Sequence, residues 1–410
     1  MAKAEHLEVL LNHEHVATLT KSRFGLVLSY TDSAVSAYGL GGVCLSMALL
    51  VTKKKLHGDT VHWWVEALLP EGEARTLLED RFGVQRGDTF GLLKFVGRDC
   101  AGAVSFHTDA FIETPAELTP VSQARLEWMI SELPTYPLGA DEEVPVSLAG
   151  LQSKLLLVRT ETGWARPANG HPSTHILKPD PFQRPGLIAA EALTMTAAKL
   201  AGLDVADVEL QHIGGRDVLV VRRFDRRDSP KGPVRIHQED GGQALGLDPS
   251  HDFKYERAGH RVNPSYGKLA SLLLDHAADP LQEQVKLAQT MVLHIASGNT
   301  DAHVRNHGFL LERGVARLAP IYDAAPTIEF SNTTRCALNI SGQDVLDRVT
   351  RVHLQLEARS WTPLRDRAQE LVVETASALA RAFAEAAAVV PGVSAKIVER
   401  MQQRALRLAS

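Results

Sequence analysis

Cysteine is scarce in this 410-residue sequence. The three present, Cys44, Cys100 and Cys336, stand far apart with no C-x-x-C pair. That excludes a disulfide-stapled scaffold and leaves structural zinc without its ligand spacing. Long apolar runs are also missing. No uncharged stretch approaches the ~20 apolar residues of a membrane span, and the opening MAKAEHLEVLLNHEH has no apolar core for a secretory signal. Charge of one sign is not in excess: 44 Lys+Arg against 49 Asp+Glu leave a net −5. That balance argues against broad non-specific nucleic-acid binding, though not against a local patch. Repeats and low-complexity tracts are absent. A soluble, reduced, cytoplasmic protein is expected. The 44% hydrophobic content supports real cores, with room for two to four domains at roughly 100–200 residues each.

Residues 1–115 read as a β-rich region. LEVLLNHEHVATLT gives two strands around a polar turn, TFGLLKFVG and GAVSFHT give further strands, and ARTLLEDRFGV gives a short helix stopped by glycine. Residues 116–235 read as a second strand-rich unit. Its strands include THILKPD and DVLVVRRFDR, and LIAAEALTMTAAKLAGL is a helix closed by Gly202. Residues 236–410 turn helical, interrupted by the hairpin HGFLLERGVARLAPIYD with its turn at Glu312–Gly314. The Ala-rich tail is core-packing helix, with Leu364, Ala368, Leu371, Leu379 and Phe383 on one face and Ile397, Met401, Ala405 and Leu408 on another.

The chemistry concentrates around that hairpin. In GNTDAHVRNHGF, Asp301 and Asn306 are five residues apart, and Asp323 follows the hairpin's return strand. A hairpin brings its two ends side by side, so Asn306 and Asp323 are expected to meet. An amide oxygen and a carboxylate suit Mg²⁺, a hard cation that shares its shell with phosphates. Asp301 is then free to accept a hydrogen bond from an attacking hydroxyl, the layout of protein kinases. The plain alternative is a solvated loop Asp and a turn Asn. On THILKPD, Lys178 shares a face with Ile176, and Glu191 lies inward on the next helix. Two inward opposite charges predict an ion pair, either structural or phosphate-directing. The loop Ser147-Leu148-Ala149-Gly150-Leu151-Gln152-Ser153-Lys154 has one glycine. It is neither a Walker A nor a G-x-G-x-x-G loop, but it could lay N–H groups over phosphates.

In chain order these pieces resemble the HipA family, the kinase toxins of bacterial HipBA toxin–antitoxin modules. GRDCAGAVSF, PLG with VSLAGLQSK, THILKPD, RRFDRR, HQEDGGQALG, KYE, GNTDAHVRN and LAPIYD all carry the likeness. The resemblance implies an α+β, protein-kinase-like two-lobed fold: an extra N-terminal β-rich subdomain (1–115), an N-lobe with the ATP loop (116–235) and an all-α C-lobe (236–410). It implies ATP and Mg²⁺ as cofactors, Lys178 on the phosphates, Asp301 as base, and Asn306 and Asp323 on the metal. Arg222, Arg223 and Phe224 would form the hinge that meets adenine, Asp225 would reach the ribose, and His303 and Arg305 would shape the catalytic loop. Ser147 would be autophosphorylated, expelling its loop by charge repulsion. The implied target is an aminoacyl-tRNA synthetase such as the glutamyl enzyme. The implied partner is a HipB-like helix-turn-helix antitoxin, through which operator DNA would mainly be contacted. A non-catalytic co-repressor on the same fold is the rival; the intact Lys178, Asp301, Asn306, Asp323 set argues against it. The sequence departs from the family at Ser153, where an acidic residue or proline is usual, and in LSMALLV, which lacks a proline; Ala324 after the metal Asp means there is no DFG glycine, which the family resemblance itself implies but which removes one landmark of ordinary kinases.

Overall fold

A computed structural model describes residues 5–108, 117–133, 154–168, 170–230, 232–250, 253–257 and 263–410. The chain opens as a meander of β1 (His6–Leu11), β2 (Glu14–Ser22) and β3 (Gly25–Tyr30). The β1–β2 turn is made by Asn12 and His13 at φ 50° and 72°, the left-handed pair that a two-residue hairpin uses. β4 (Leu56–His57) and β5 (Val104–His107) complete a sheet of order β4-β3-β2-β1-β5. Helices α1 (Asp32–Tyr38), α2 (Asp59–Glu66), α3 (Gly72–Phe82) and α4 (Thr89–Val96) share its core around Trp64, Phe90 and Phe106. This region is therefore helical as well as stranded. TFGLLKFVG, expected as a strand, is α4. Asp88 caps it by accepting from Gly91 N at 3.0 Å, and Phe90, Leu92, Leu93 and Val96 bury at helical spacing.

The second unit contains β6 (Glu117–Val121), α5 (Gln123–Glu132), β7 (Leu155–Thr160), β8 (Gly163–Ala168), β9 (His175–Pro179), α6 (Leu187–Leu200), β10 (Val208–Ile213) and β11 (Arg216–Arg222). Its strands form an antiparallel sheet in the order β10-β11-β9-β7-β8-β6. Strand alternation splits β11 between two cores: Val218 and Val220 pack with α5, Leu219 and Val221 with α6.

The third unit holds β12 (Arg226–Arg227), β13 (Val234–Arg235), β14 (His237–Asp240), α7 (Gly241–Ala244), α8 (Tyr266–His276), α9 (Pro280–Ser297), β15 (Gly308–Glu312), β16 (Val315–Leu318), β17 (Arg335–Ile340), β18 (Gln343–Val345), α10 (Arg351–Ser360), α11 (Ala368–Val389) and α12 (Ala395–Ala409). It is mainly helical, but not the all-α lobe expected. The anticipated hairpin β15–β16 gains β14 as a third strand, and β17 pairs with β18. The Ala-rich tail is helical as expected, although Leu364 enters the core from a turn ahead of α11.

Candidate active site

β9 points Leu177 toward α5, so alternation turns Ile176 and Lys178 toward α6. Lys178 Nζ donates to Glu191 Oε1 at 3.0 Å and to Asp323 Oδ1 at 2.7 Å. The expected Lys–Glu pair is present, with Asp323 as a third member. Burial pulls the Lys178 pKa down, but Asp323 and Glu191 outweigh it and hold the ammonium above its ordinary value. Lys178 in turn lowers the Asp323 carboxyl to about 2. Glu191 stays raised because burial there outweighs the lysine. Asp323 adopts φ 56°, a left-handed backbone uncommon outside glycine that places strain at this site.

Asp301 lies just past α9, whose C-cap is Gly298 at φ 85°. A Cβ there would sit 2.7 Å from Ile328 Cγ2, so the turn needs glycine on both counts. Asn299 Oδ1 accepts from Asp301 N at 2.9 Å, and Asn306 Nδ2 donates to Asp301 O at 2.9 Å. The hairpin base closes where Ala319 N donates to Gly308 O at 2.8 Å and Tyr322 OH to Arg305 O at 2.8 Å. Burial raises the Asp301 carboxyl, opposed by a hydrogen bond from Tyr255 OH at 2.6 Å. Arg305 supports the loop through Asp240 Oδ2 at 2.7 Å and the Ala67 carbonyl at 2.9 Å. His303 is pulled down to about 4, first by burial, and stacks edge-on against Tyr255.

The segment expected to meet adenine follows β11. Phe224 packs on Tyr322 with ring centres 5.4 Å apart, and Arg222 pairs outward with Asp228. Asp225 does not fit the ribose role. Its carboxylate accepts from Arg223 Nε at 2.9 Å, Arg223 Nη2 at 2.7 Å, Gly102 N at 2.8 Å and Gln238 Nε2 at 3.3 Å. A sugar hydroxyl would have to displace those buried donors. The Arg223 side chain is likewise turned inward, reaching Ser173 Oγ at 2.9 Å. Asp99 extends the network, 3.1 Å from Arg226 Nη2 and 2.7 Å from Arg235 Nη2. Arg223 and Asp225 thus fasten the N-terminal region to the hinge. Phe224 lines the cavity, as do parts of Arg222, Arg223 and Asp225.

Ser147, Leu148, Ala149, Gly150 and Gln152 lie outside the described residues. Lys154, at the end of that loop, is buried; burial first, then the nearby Lys178, lowers its pKa to about 8. Lys154, Lys178, Glu191, Phe224, Asp301, Asn306 and Asp323 line one cavity of about 610 Å³, a size that accommodates a nucleotide. Among the described residues no three His, Cys, Asp or Glu side chains cluster as a metal site. Asn306 and Asp323 nonetheless fit Mg²⁺ chemically. Asn306 commits its Nδ2 to Asp301 and Asp323 commits Oδ1 to Lys178, which leaves Asn306 Oδ1 and Asp323 Oδ2 as hard oxygen donors. Among the described residues no helix is long and apolar enough to cross a membrane.

Tyr255, Lys254, Glu71 and Asp240 were not singled out as site residues in the sequence. Tyr255 and Lys254 belong to the KYE segment, and Asp240 to HQEDGG, but motif likeness alone gave them no role. Nothing in the sequence marks Glu71.

Models of known families match twice: the HipA N-terminal domain at residues 7–107 and the HipA-like C-terminal domain at residues 146–388. Among curated relatives, the putative kinase Y4mE of Sinorhizobium fredii is 36% identical over 329 residues, 77% of each chain. The serine/threonine-protein kinase toxin HipA of Shewanella oneidensis is 32% identical over 267 residues, 62% of this chain and 60% of that protein. The solved complex of HipA, HipB and operator DNA from Shewanella oneidensis contains a chain with a TM-score of 0.81 at 24% identity, over 98% of this chain and 96% of that one. The fold is thus the two-lobed, kinase-like α+β fold. With its C-terminal family match spanning more than half of its length, the chain belongs to the HipA family.

Proposed function

We propose that this protein is a serine/threonine protein kinase of the toxin type, moving the γ-phosphoryl group of ATP onto a Ser or Thr hydroxyl of a protein. The observation that carries the reading is the convergence of Lys178, Glu191, Asp301, Asn306 and Asp323 on one cavity. Lys178, held by Glu191, meets the ATP phosphates. Asn306 and Asp323 are the residues that would hold Mg²⁺, which when bound neutralises charge on the phosphate oxygens. Asp301, raised by burial, accepts the hydroxyl proton while the oxygen attacks γ-phosphorus and ADP leaves. A base with an elevated pKa takes that proton more readily. Lys154, kept beside Lys178 by the fold, adds positive charge at the phosphate end.

The finer parts of the reading rest on family likeness. The target is an aminoacyl-tRNA synthetase such as the glutamyl enzyme, and its phosphorylation stops growth. Ser147 is the autophosphorylation site. A HipB-like antitoxin neutralises the kinase and carries most of the contact with operator DNA. The division into 1–115, 116–235 and 236–410 belongs to the same proposal.

The test is incubation with Mg²⁺ and γ-labelled ATP, alone and with purified synthetases. Label is expected on Ser147 and on a synthetase, and is expected to vanish in Asp301→Asn. Wild-type protein that transfers label nowhere would overturn the reading.

A further inference from the structure

The N-terminal region reaches the catalytic loop. Glu71, just ahead of α3, sets its carboxylate against both Lys254 Nζ and Arg305 Nη1. Both cationic side chains are only 6% exposed, so each needs a counter-charge. Arg305 has a second one in Asp240; for Lys254, Glu71 is the carboxylate partner among the described residues. The Lys254 carbonyl accepts from Val304 N at 3.1 Å, and the next residue, Tyr255, bonds Asp301. Neighbouring backbone leaves little slack. A Cβ on Gly241 would lie 2.7 Å from Val304 O, and one on Gly242 would lie 3.2 Å from Arg305 Cγ.

We propose that Glu71 is a positioning residue of the catalytic loop. Its carboxylate, supplied by the N-terminal region, fixes Lys254 and Arg305, and through them the backbone that presents Asp301. The inference rests on the kinase reading only for its effect on rate. Its geometric consequence stands apart: the N-terminal region is built into the support of the catalytic loop. Displacing α2 or α3 would then loosen the catalytic loop.

The test compares wild type with Glu71→Gln, which keeps shape and removes charge, and Glu71→Asp, which restores charge on a shorter arm. Hydrogen exchange of the 301–307 segment, measured on the full chain without ATP, is expected to quicken in Glu71→Gln while α9 stays protected. Glu71→Asp should fall between. With ATP and Mg²⁺, kcat is expected to drop about tenfold in Glu71→Gln with the KM for ATP within about twofold, the pattern of a misplaced catalytic group with intact nucleotide binding. Unchanged exchange in Glu71→Gln overturns the proposal, as does a gain in exchange spread equally over α9. Failure of wild type to transfer phosphate would sink the kinase reading instead, and the exchange comparison would still decide Glu71's part.

Discussion

Tyr255 OH donates to Asp301 Oδ1 at 2.6 Å, so the carboxylate assigned to the substrate's proton already holds a donor on one oxygen. Burial raises Tyr255's own pKa, with the Asp301 charge adding to it, so the phenol keeps its proton and remains a donor. A hydrogen bond to the charged form of an acid favours that form. Tyr255→Phe removes it, and the Asp301 pKa should rise further. The base is active when deprotonated, so the acid limb of the kcat/KM pH profile is expected to move to higher pH in the variant. A limb that stays in place means Asp301 is not the titrating group.

Lys178 neutralises a buried carboxylate as well as any phosphate. The Glu191 side chain is 4% exposed, and Lys178→Met removes the ammonium hydrogen-bonded to both Glu191 and Asp323, leaving only the more distant Lys154 charge near them. Breaking one side of a buried pair costs about 3–5 kcal/mol. Lys178→Met should therefore lose stability by about that much in urea unfolding, on top of losing ATP affinity. Lys178→Met with Glu191→Leu should recover most of the stability and none of the affinity. Equal losses in the single and double variants would show that Glu191 carries no uncompensated charge.

How much of this site could be read from the sequence depended on distance along the chain. Lys178 and Glu191 are thirteen residues apart, and strand and helix periodicity alone predicts that both point inward. The turn at Glu312–Gly314 predicts that Asn306 and Asp323 approach each other. Contacts spanning hundreds of residues left no such trace. Asp225 has a motif, RRFDRR, but its partner Gly102 lies 123 positions away. Only the folded junction turns a ribose-facing candidate into a buried arginine clamp. Glu71 and Arg305 are 234 positions apart, and neither periodicity nor spacing links them. TFGLLKFVG is ambiguous for a local reason: a nine-residue apolar segment rich in Phe and Leu fits a strand about as well as a helix, and the Asp88 cap decides between them.

That clamp should dominate the stability of the junction. The Asp99 side chain is 6% exposed and is shared by Arg226 and Arg235. Asp99→Ala removes the carboxylate that Arg235 pairs with among the described residues and leaves Arg226 only Asp225, which Arg223 already shares, so it is expected to destabilise by about 3–5 kcal/mol. Asp207→Ala, which breaks the open Lys199–Asp207 pair with side chains 65% and 56% exposed, should cost under about 1 kcal/mol. Urea unfolding of both variants checks the contrast. Similar small losses would mean that Arg226 and Arg235 find adequate partners in the carbonyls of Ser173, Gly102 and Gly170.

A second contact across the same junction should make stability depend on pH. Glu239, on β14, is 1% exposed and accepts from Ser46 Oγ at 2.6 Å and Met47 N at 2.8 Å. Burial raises its carboxyl to about 8, with those two bonds pulling the other way. In the unfolded chain a Glu titrates near 4.3. Between those values the folded protein keeps a proton that the unfolded chain has released, so the contribution of this group is full below about 4.3 and is lost as pH rises through about 8. Glu239→Gln preserves the shape and removes the titration. Relative to wild type, the variant is expected to gain stability steadily from pH 5 to pH 8, by at most about 1.4 kcal/mol per pH unit. Urea unfolding of both proteins at pH 5, 6.5 and 8 gives the slope. A difference between the two proteins that stays flat from pH 5 to pH 8 would mean that Glu239 is already ionised in the folded protein and held as a carboxylate by Ser46 and Met47, against the direction argued here.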